Sequence, residues 1–353
     1  MSDPTPEPTS STSRLGRIAP VALNQPGDLI AAVPHLLHYY PADAVVANVF
    51  VGDTIEVVLC STLPPDALSR RLVEQTVASA ARHPGAAVVG VLVGGVVGGG
   101  PVDGLLPHAA LAARMRDTLA EHDVPLRMFW TEAITAGARW YDYHDPSHTG
   151  TVPDPKTSVL AAISAVRGRR TFDNREDLAA TLRPDPHDAL ARRARLIDNP
   201  AGRSGRPQST GESYRLVMEH VKRTEDRSEA LSDQDVADLA VALSDKAARD
   251  ACLATAAGDH AQAAERLWSE LTRQCPAPEC AEPATLLAVA AYVRGDGVLA
   301  SLALDRAEAA FPGHRFAELL RAALDSQMHP DTLRLLVDHA VERVERMDPA
   351  EPA

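Results

Sequence analysis

The sequence predicts an α/β domain built on a mixed sheet with helices, followed by an all-α domain of tetratricopeptide-like helix pairs. Short β-branched runs alternate with helical patterns as far as residue 197, which is typical of a sheet covered by helices. From residue 213 onward every apolar pattern has helical spacing, and a repeat of about 36 residues is visible within it. A stretch rich in Pro, Gly and Ser separates the two patterns and reads as a linker.

The first pattern begins with a helix that opens at Gln25-Pro26-Gly27-Asp28, where Pro34 predicts a kink or an early stop. Gly52-Asp53 lies between two β-branched runs and predicts a hairpin. Thr131–Ile134 and Ala138–Tyr143, joined around Gly137, predict a second hairpin. The other predicted strands and helices of this block are, in order, helix 64–82, strand 86–93, helix 105–122, strand 125–130, and helices 156–167 and 175–196.

The second pattern contains eight helical runs and no strand signal. Ser232, with Asp235 three residues later, predicts an N-cap that meets the helix dipole. The turn Gly258-Asp259 recurs in form at Gly295-Asp296, and a Pro follows each second helix, which indicates a short stack of helix pairs. The eight predicted helices are 213–226, 233–243, 246–257, 261–274, 284–294, 298–310, 315–327 and 331–346.

The predicted organisation is therefore a disordered tail, an α/β domain, a linker, an all-helical domain and a second tail. Their predicted bounds are 1–19, 20–197, 198–212, 213–347 and 348–353.

Composition and charge exclude several classes of function. The chain has 45% hydrophobic and 24% charged residues, which is a globular balance, and a formal net charge of −13. Bulk attraction to nucleic acid or to an anionic membrane is not expected of such a charge, and no apolar run is long enough to span a bilayer. Four cysteines are too few for a disulfide scaffold, so we expect a cytoplasmic protein.

Two segments carry a family resemblance. The run from Gln25 to Leu37 is followed by Pro41-Ala42-Asp43, and the far end contains Arg249-Asp250 and then two runs, Ala290 to Gly297 and Ala303 to Ala307. Together they resemble the actinobacterial family catalogued as domain of unknown function 4192, over residues 20 to 330. The resemblance implies a common fold and origin but carries no activity. Relatives commonly have cysteines after the tryptophan pair, where this chain has His144-Asp145-Pro146-Ser147-His148.

Gly98, Gly99 and Gly100 belong to a glycine tract between a predicted strand and a predicted helix. Backbone N–H groups there are candidates for holding a phosphate at a helix N-terminus. No Gly-Lys-Ser/Thr follows, however, so the tract is not a Walker A loop. A plain connecting loop is the alternative interpretation.

Trp130, Trp140, Tyr141 and Tyr143 concentrate aromatic side chains in a chain with only 4% aromatic residues. They are candidates for lining a small-molecule pocket at the strand ends. Closing one edge of a hydrophobic core is the alternative role for the same residues.

His144, Asp145 and His148 are the tightest group of potential metal ligands, because zinc accepts imidazole and carboxylate. Pro146 argues against a helix that would present both histidines on one face, so a solvated loop is the alternative. Asp28 and Asp43 flank the first helix as a possible acid/base pair, or as a dipole-complementing acid and a turn residue.

No complete catalytic motif is present, and the cofactor is unknown. The first functional hypothesis is a non-catalytic binding or adaptor protein that takes a protein partner in the groove of its helical repeat. The alternative is a small-ligand or nucleotide-binding enzyme or sensor with a site in the α/β domain. Nucleic-acid binding through the arginines at 167–170 and 192–195 is the weakest hypothesis, because acidic residues interleave with them.

Overall fold

The computed structural model describes residues 25–63, 69–95, 105–166, 168–199 and 209–347. The chain falls into two compact units that divide between Thr171 and Phe172. The first unit contains a six-stranded mixed sheet with helices, and the described part of the second is built from helices. The predicted fold class is therefore confirmed.

The boundary between the units differs from the linker expected at 198–212. Helix α6 (His187–Asp198) belongs to the second unit, because it packs against α8 (Asp233–Ser244). Arg193 on α6 is 7% exposed and donates hydrogen bonds to Asp185, to Asp233 and to the carbonyl oxygen of Gln274. Residues 200–208 of the predicted linker lie outside the described residues, and the linker stays a prediction.

The sheet of the first unit has the strand order β2-β1-β3-β4-β5-β6. Strands β3 and β4 are its parallel pair, and every other neighbouring pair is antiparallel. The elements of this unit are α1 (Pro26–Leu37), β1 (Ala44–Val51), β2 (Thr54–Thr62), α2 (Ser69–Ala80), β3 (Ala86–Val93), α3 (Ala109–Ala120), β4 (Leu126–Thr131), β5 (Arg139–Asp142), β6 (Thr149–Thr151), a 3₁₀ turn (Pro155–Thr157) and α4 (Val159–Val166).

The first hairpin forms where the sequence predicts it. Gly52 takes φ 57° in the turn, a conformation that costs glycine little, and β1 pairs antiparallel with β2. The second hairpin is only partly as expected. β4 continues to Thr131 and pairs with β5, whereas Ile134 lies in the connecting loop and the short strand β6 was not predicted.

Helices cover both faces of this sheet. Val73 of α2 and Met115 of α3 pack with Leu92 and Trp130 on one face. Helix α1 covers the opposite face. Gly27 of α1 lies against Trp140, and the side chains of Trp140 and Tyr141 point to opposite faces because they are neighbours along β5. A strand buried on both faces needs apolar residues at successive positions, which explains the continuous apolar run of β3.

Helix α1 runs through Pro34 and ends at Leu37, so the expected early stop is wrong. His38 follows in the left-handed conformation with φ 65° and ends the helix instead. His35 Nε2 donates to the carbonyl oxygen of Pro155 at 2.8 Å, and His35 Nδ1 is hydrogen-bonded to the hydroxyl of Thr171 at 3.0 Å. These contacts tie the last turn of α1 to the end of the first unit.

The second unit contains α5 (Arg175–Ala180) and α6, followed by the predicted helical series. The remaining helices are α7 (Thr210–Asp226), α8 (Asp233–Ser244), α9 (Lys246–Cys252) continued by a 3₁₀ turn (Leu253–Ala256), α10 (Ala261–Gln274), α11 (Ala281–Val293), α12 (Gly297–Ala310), α13 (Arg315–Asp325) and α14 (Pro330–Met347). None of the helices in the described ranges is both long and apolar enough to cross a membrane.

The repeat corresponds to matching turns in the second unit. Gly258 and Gly295 take φ 86° and 88° and stand just before α10 and α12. Asp296 Oδ1 then accepts the N–H of Leu299 at 2.9 Å and caps α12. Ser232 and Asp235 form the expected capping box at the start of α8.

Helix α11 is the centre of the second unit. Every residue of α11 except Glu282 is buried, and α10, α12, α13 and α14 all pack against it. A helix that is apolar all round has to be surrounded, which is why its pattern is nearly continuous in Ala, Leu and Val.

Candidate functional site

The carboxyl ends of β3 and β4 form the end of the sheet at which a parallel α/β architecture binds its ligands. The chain that leaves β3 is tied to the last residues of β4. Gly94 donates its N–H to the carbonyl oxygen of Thr131 at 3.0 Å, and Trp130 Nε1 donates to the carbonyl oxygen of Gly94 at 2.9 Å. This end of the sheet is therefore held rigidly as far as Gly94.

Asp43 reaches the same place from the other side. It precedes β1, whose start lies beside the end of β3 because the two strands are antiparallel. Its side chain is exposed, its φ is 44°, and its Oδ1 accepts the N–H of Gly95 at 2.9 Å. Aspartate tolerates the left-handed region better than most residues, which fits it to this turn.

His108 completes the group from the start of α3. It is exposed, has φ 58°, and its carbonyl oxygen accepts the N–H groups of Leu111 and Ala112 in the first turn of the helix. Its imidazole lies so close to Gly95 that a Cβ there would overlap the ring. Asp43 and His108 thus contact the same glycine, one by a hydrogen bond and one by packing.

Four left-handed backbone conformations converge at this end of the sheet. Gly94 and Gly95 have φ 84° and 90°, and they stand between the two non-glycine residues Asp43 and His108. Non-glycine residues in this region are strained, and such strain collects at functional sites. We call Asp43, Gly94, Gly95 and His108 the β3-end cluster.

The predicted aromatic pocket is not assembled as one surface. Trp130, Tyr141 and Tyr143 belong to the face covered by α2 and α3, whereas Trp140 faces α1 on the opposite side. Trp130 and Tyr141 are cross-strand partners with ring centroids 5.8 Å apart. The alternation of side chains along β5 makes this separation unavoidable.

Two of the four aromatics support the β3-end cluster instead of lining a pocket. Trp130 holds Gly94, and the Tyr143 hydroxyl donates to the carbonyl oxygen of Pro107, directly before His108. Burial raises the pKa of Tyr143 well above its ordinary value, so the hydroxyl stays a neutral donor. The other predicted ligand-binding residues, Gly98, Gly99 and Gly100, lie outside the described residues.

The sequence reasoning singled out Asp43 but missed His108. Asp43 was paired there with Asp28, which lies in the first turn of α1, whereas Asp43 comes after that helix has ended. Asp28 belongs to α1 and Asp43 to the turn before β1, and the acid/base pairing of the two stays a prediction. A histidine at the turn into the helix that follows β3 was the available signal for His108.

His144, Asp145 and His148 lie in the turn between β5 and β6. Asp145 Oδ1 accepts from the N–H and the hydroxyl of Ser147, and these bonds lower the pKa of Asp145. Within the described ranges, no three His, Cys, Asp or Glu side chains are grouped so that they could hold a metal ion. The three residues serve the turn in this arrangement.

The acid that organises this turn is Asp142, which the sequence reasoning did not select. It is 2% exposed and accepts from Arg127 Nη2 at 2.7 Å, from the N–H of His144 at 2.8 Å and from His148 Nδ1 at 3.2 Å. Burial alone would raise the pKa of Asp142, but these three donors hold it below its ordinary value. His148 also packs edge-on against Trp140, with centroids 5.0 Å apart.

Three of the four cysteines are buried thiols with no sign of activation. Burial raises the pKa of Cys252, Cys275 and Cys280 above the ordinary value, which suppresses the reactive thiolate. Cys60 accepts a hydrogen bond from the Tyr39 hydroxyl at 3.3 Å.

The second unit has its central helix covered. Helix α14 packs against α11, against α9 and against the 3₁₀ turn that follows α9. Leu333 of α14 borders a cavity of about 10 Å³ among α11, α12 and α13, which barely holds one water molecule. Helix α14 therefore lies along α11, and the groove expected of the helix pairs stays a prediction.

Comparison with known proteins gives a family and no activity. The model of the family described as Domain of unknown function (DUF4192) matches residues 26–331 of the 353. Neither the curated proteins nor the solved structures contain a match to the chain.

Proposed function

This chain belongs to the DUF4192 family, whose description assigns no activity, and from the chain's own geometry we propose that it is a non-catalytic binding protein with a small-ligand site at the β3-end cluster. The observation that carries the proposal is the convergence of Asp43 and His108, both left-handed, on Gly94 and Gly95. Backbone strain of this kind persists only where the surroundings enforce it.

The chemistry of the cluster favours a small polar molecule that carries hydroxyl or amino groups. Asp43 uses one carboxylate oxygen for Gly95, and the carboxylate has acceptor capacity beyond that bond. His108 offers ring nitrogens that accept or donate according to the tautomer. Covalent catalysis usually needs a nucleophile, a base and an acid that orients the base. The β3-end cluster does not contain such a set of three side chains.

The test is a thermal-shift screen of the full chain with polyols, amines, nucleotides, inorganic phosphate and divalent metals. A ligand that binds only the folded state raises the melting temperature, by RT ln(1 + [L]/Kd) in free energy. We expect a hit whose stabilisation is lost in Asp43→Asn and in His108→Ala.

Asp123→Asn is the matched control. Asp123 is also exposed and left-handed, with φ 55°, but it lies in the turn between α3 and β4, at the opposite end of the strands. A ligand whose effect survives Asp43→Asn and His108→Ala, or is equally lost in Asp123→Asn, would refute the site.

The adaptor hypothesis is the second candidate function. It is supported by the consecutive helix pairs and by α14, an amphipathic helix that is seated on α11 within the chain. Because α14 lies there, a partner helix would need either another surface or the place of α14. The cytoplasmic setting expected from the cysteine content belongs to this proposal as well.

A further inference from the structure

Helix α14 packs against the rest of the second unit through a narrow stripe of apolar side chains. Among its described side chains, those of Leu333, Val337 and Ala340 are buried, at 7%, 1% and 5% exposure. They stand at the spacing i, i+4 and i+7, which is one face of a helix. Leu335 and Leu336 are 58% and 38% exposed on the outer side.

The surface beneath α14 is suited to a helix. Small residues of three helices, Ala288, Ala300 and Ala323, border the small cavity that Leu333 also lines, together with the larger Leu304 and Leu320. Alanines let a helix approach closely, and the leucines fill the space on either side of an inserted side chain. This is the geometry by which grooves hold amphipathic helices through anchors at i, i+4 and i+7.

Polar contacts fix the register of α14 on this surface. Arg334 Nη2 donates to the carbonyl oxygen of Val293 at 2.9 Å, at the carboxyl end of α11 where such oxygens lack helical partners. Arg343 lies 4.0 Å from Asp250 of α9. Each of these contacts involves a side chain more than two-fifths exposed, at 44% for Arg334 and 51% for Arg343, so water competes for it.

A short connection joins α14 to the rest of the unit. Helix α13 ends at Asp325 and α14 begins at Pro330, and Gln327 between them has φ 51°. Pro330 needs no partner for a backbone N–H at this helix start. The Tyr292 hydroxyl of α11 donates to the carbonyl oxygen of Met328, and the Met328 N–H donates to the carbonyl oxygen of Ala323, so a release of α14 begins after Met328 and leaves the packing of α11, α12 and α13 in place.

From these contacts we infer that the surface formed by α9, the 3₁₀ turn Leu253–Ala256 and α11 under α14 is a docking site for an amphipathic helix, with α14 as its resident and displaceable occupant. The partner is a helix with apolar side chains at i, i+4 and i+7 and a basic residue beside the first of them, as in α14 itself. The inference rests on the second candidate function and is independent of the β3-end cluster.

The experiment uses the full chain and a labelled synthetic peptide of residues 330–347, followed by fluorescence anisotropy. Val337→Asp in the full chain places a charge on the buried stripe and is expected to unseat α14. This variant then binds the peptide at least tenfold more tightly than the wild-type chain, in which α14 occupies the site.

Leu335→Asp is the matched control, because it adds the same charge to an exposed position of the same helix. It is expected to bind the peptide no better than the wild type. Equal peptide binding by Val337→Asp and Leu335→Asp would overturn the inference, and so would loss of the cooperative thermal transition in Val337→Asp, since α14 would then be an integral part of the core.

Hydrogen exchange of the wild-type chain gives an independent readout. A displaceable α14 exchanges its backbone amides faster than α11 does, because it opens without global unfolding. Amides of α14 and α11 that exchange together at one rate would contradict a separable helix. If α14 proves not to be separable, the adaptor hypothesis still stands for other surfaces of the chain. Capture of a partner by the Leu335→Asp chain would reveal such a surface.

Discussion

Single residues at the end of β3 show how a backbone conformation can select an amino acid. Gly94 has φ 84°, and a Cβ there would stand 2.5 Å from Asp43 Oδ1 and 2.9 Å from the Asp43 backbone nitrogen. Both the conformation and the close approach exclude a side chain. Gly137 has a similar φ of 80° but nothing within 4 Å of the same position.

Gly94→Ala is therefore expected to lower the free energy of unfolding by about 3 kcal/mol, from the strained φ together with overpacking against a backbone atom. Gly137→Ala bears only the conformational cost and is expected to lose about 1 kcal/mol. Urea denaturation of both variants measures the difference. Equal losses would mean that Asp43 moves aside freely and that the end of β3 is not rigid.

Asp142 makes a pH-dependent contribution at the residue scale. Its pKa is lowered in the folded protein, so the carboxylate stabilises the fold above its unfolded pKa of about 3.9, and this stabilisation is lost as the pH falls through the folded pKa. Asp142→Asn is expected to cost about 1 to 2 kcal/mol at pH 7, since Arg127 and His148 lose a charged acceptor.

The gap between wild type and Asp142→Asn should shrink as the pH is lowered below about 4, because the carboxyl is then protonated first in the unfolded state and, once the pH reaches the lowered folded pKa, in the native state as well. Unfolding free energies measured by denaturant at several pH values test this. Asp123→Asn, at an exposed turn, provides the comparison. A gap that stays constant down to about pH 3 would show that Asp142 contributes by shape and not by charge.

Elements differ sharply in how much of their surface they bury. Leu287 on α11 is 0% exposed, whereas Leu319 on α13 is 61% exposed. Leu287→Ala removes buried methyl groups from a surrounded helix and is expected to cost about 2 to 5 kcal/mol. Leu319→Ala is expected to stay within about 0.5 kcal/mol of the wild type. Similar losses in a denaturation experiment would contradict the central position of α11.

The bounds of some elements were predicted closely, although the single helix expected over 175–196 is divided into α5 and α6. Residues 261–274 and 86–93 are a helix and a strand as expected, because helical spacing and a continuous β-branched run are local properties. The structure differs from the prediction at Pro34 and at β6. Helix α1 continues through Pro34 because its apolar face is covered, and the three-residue strand β6 is too short to give a periodic signal.

At the scale of the whole molecule, the two units divide after Thr171, so α6 belongs to the helical unit. A fragment of residues 172–353 is expected to unfold cooperatively on its own. A fragment that starts at 213 lacks α6 and leaves Asp233 and the Gln274 carbonyl without Arg193, and it should be about 3 kcal/mol less stable or fail to fold. Circular dichroism melts compare the two. Equal stability of the two fragments would favour the domain boundary at 198–212 that the composition predicts.

The sequence predicted only the residues that support the candidate site. The aromatic density around Trp130 and Tyr143 indicated the right segment, and in the structure the two side chains donate hydrogen bonds to the carbonyl oxygens of Gly94 and Pro107. The sequence signal for His108 was only its place at the turn into the helix after β3, since its relevance comes from lying against Gly95. A residue that is functional by proximity can be recognised only when its neighbour across the sheet is known.

The sequence by itself determined the order of helices and strands, the mixed α/β then all-α architecture, the repeat with its turns at Gly258 and Gly295, and the family to which the chain belongs. These follow from side-chain periodicity, turn chemistry and short motifs, all of which act over a few residues. Only the tertiary structure decided where the units divide, which residues meet at the end of β3, and that α14 lies over α11. Those outcomes depend on contacts between segments far apart in the chain, and no local pattern specifies which distant surfaces will be buried together.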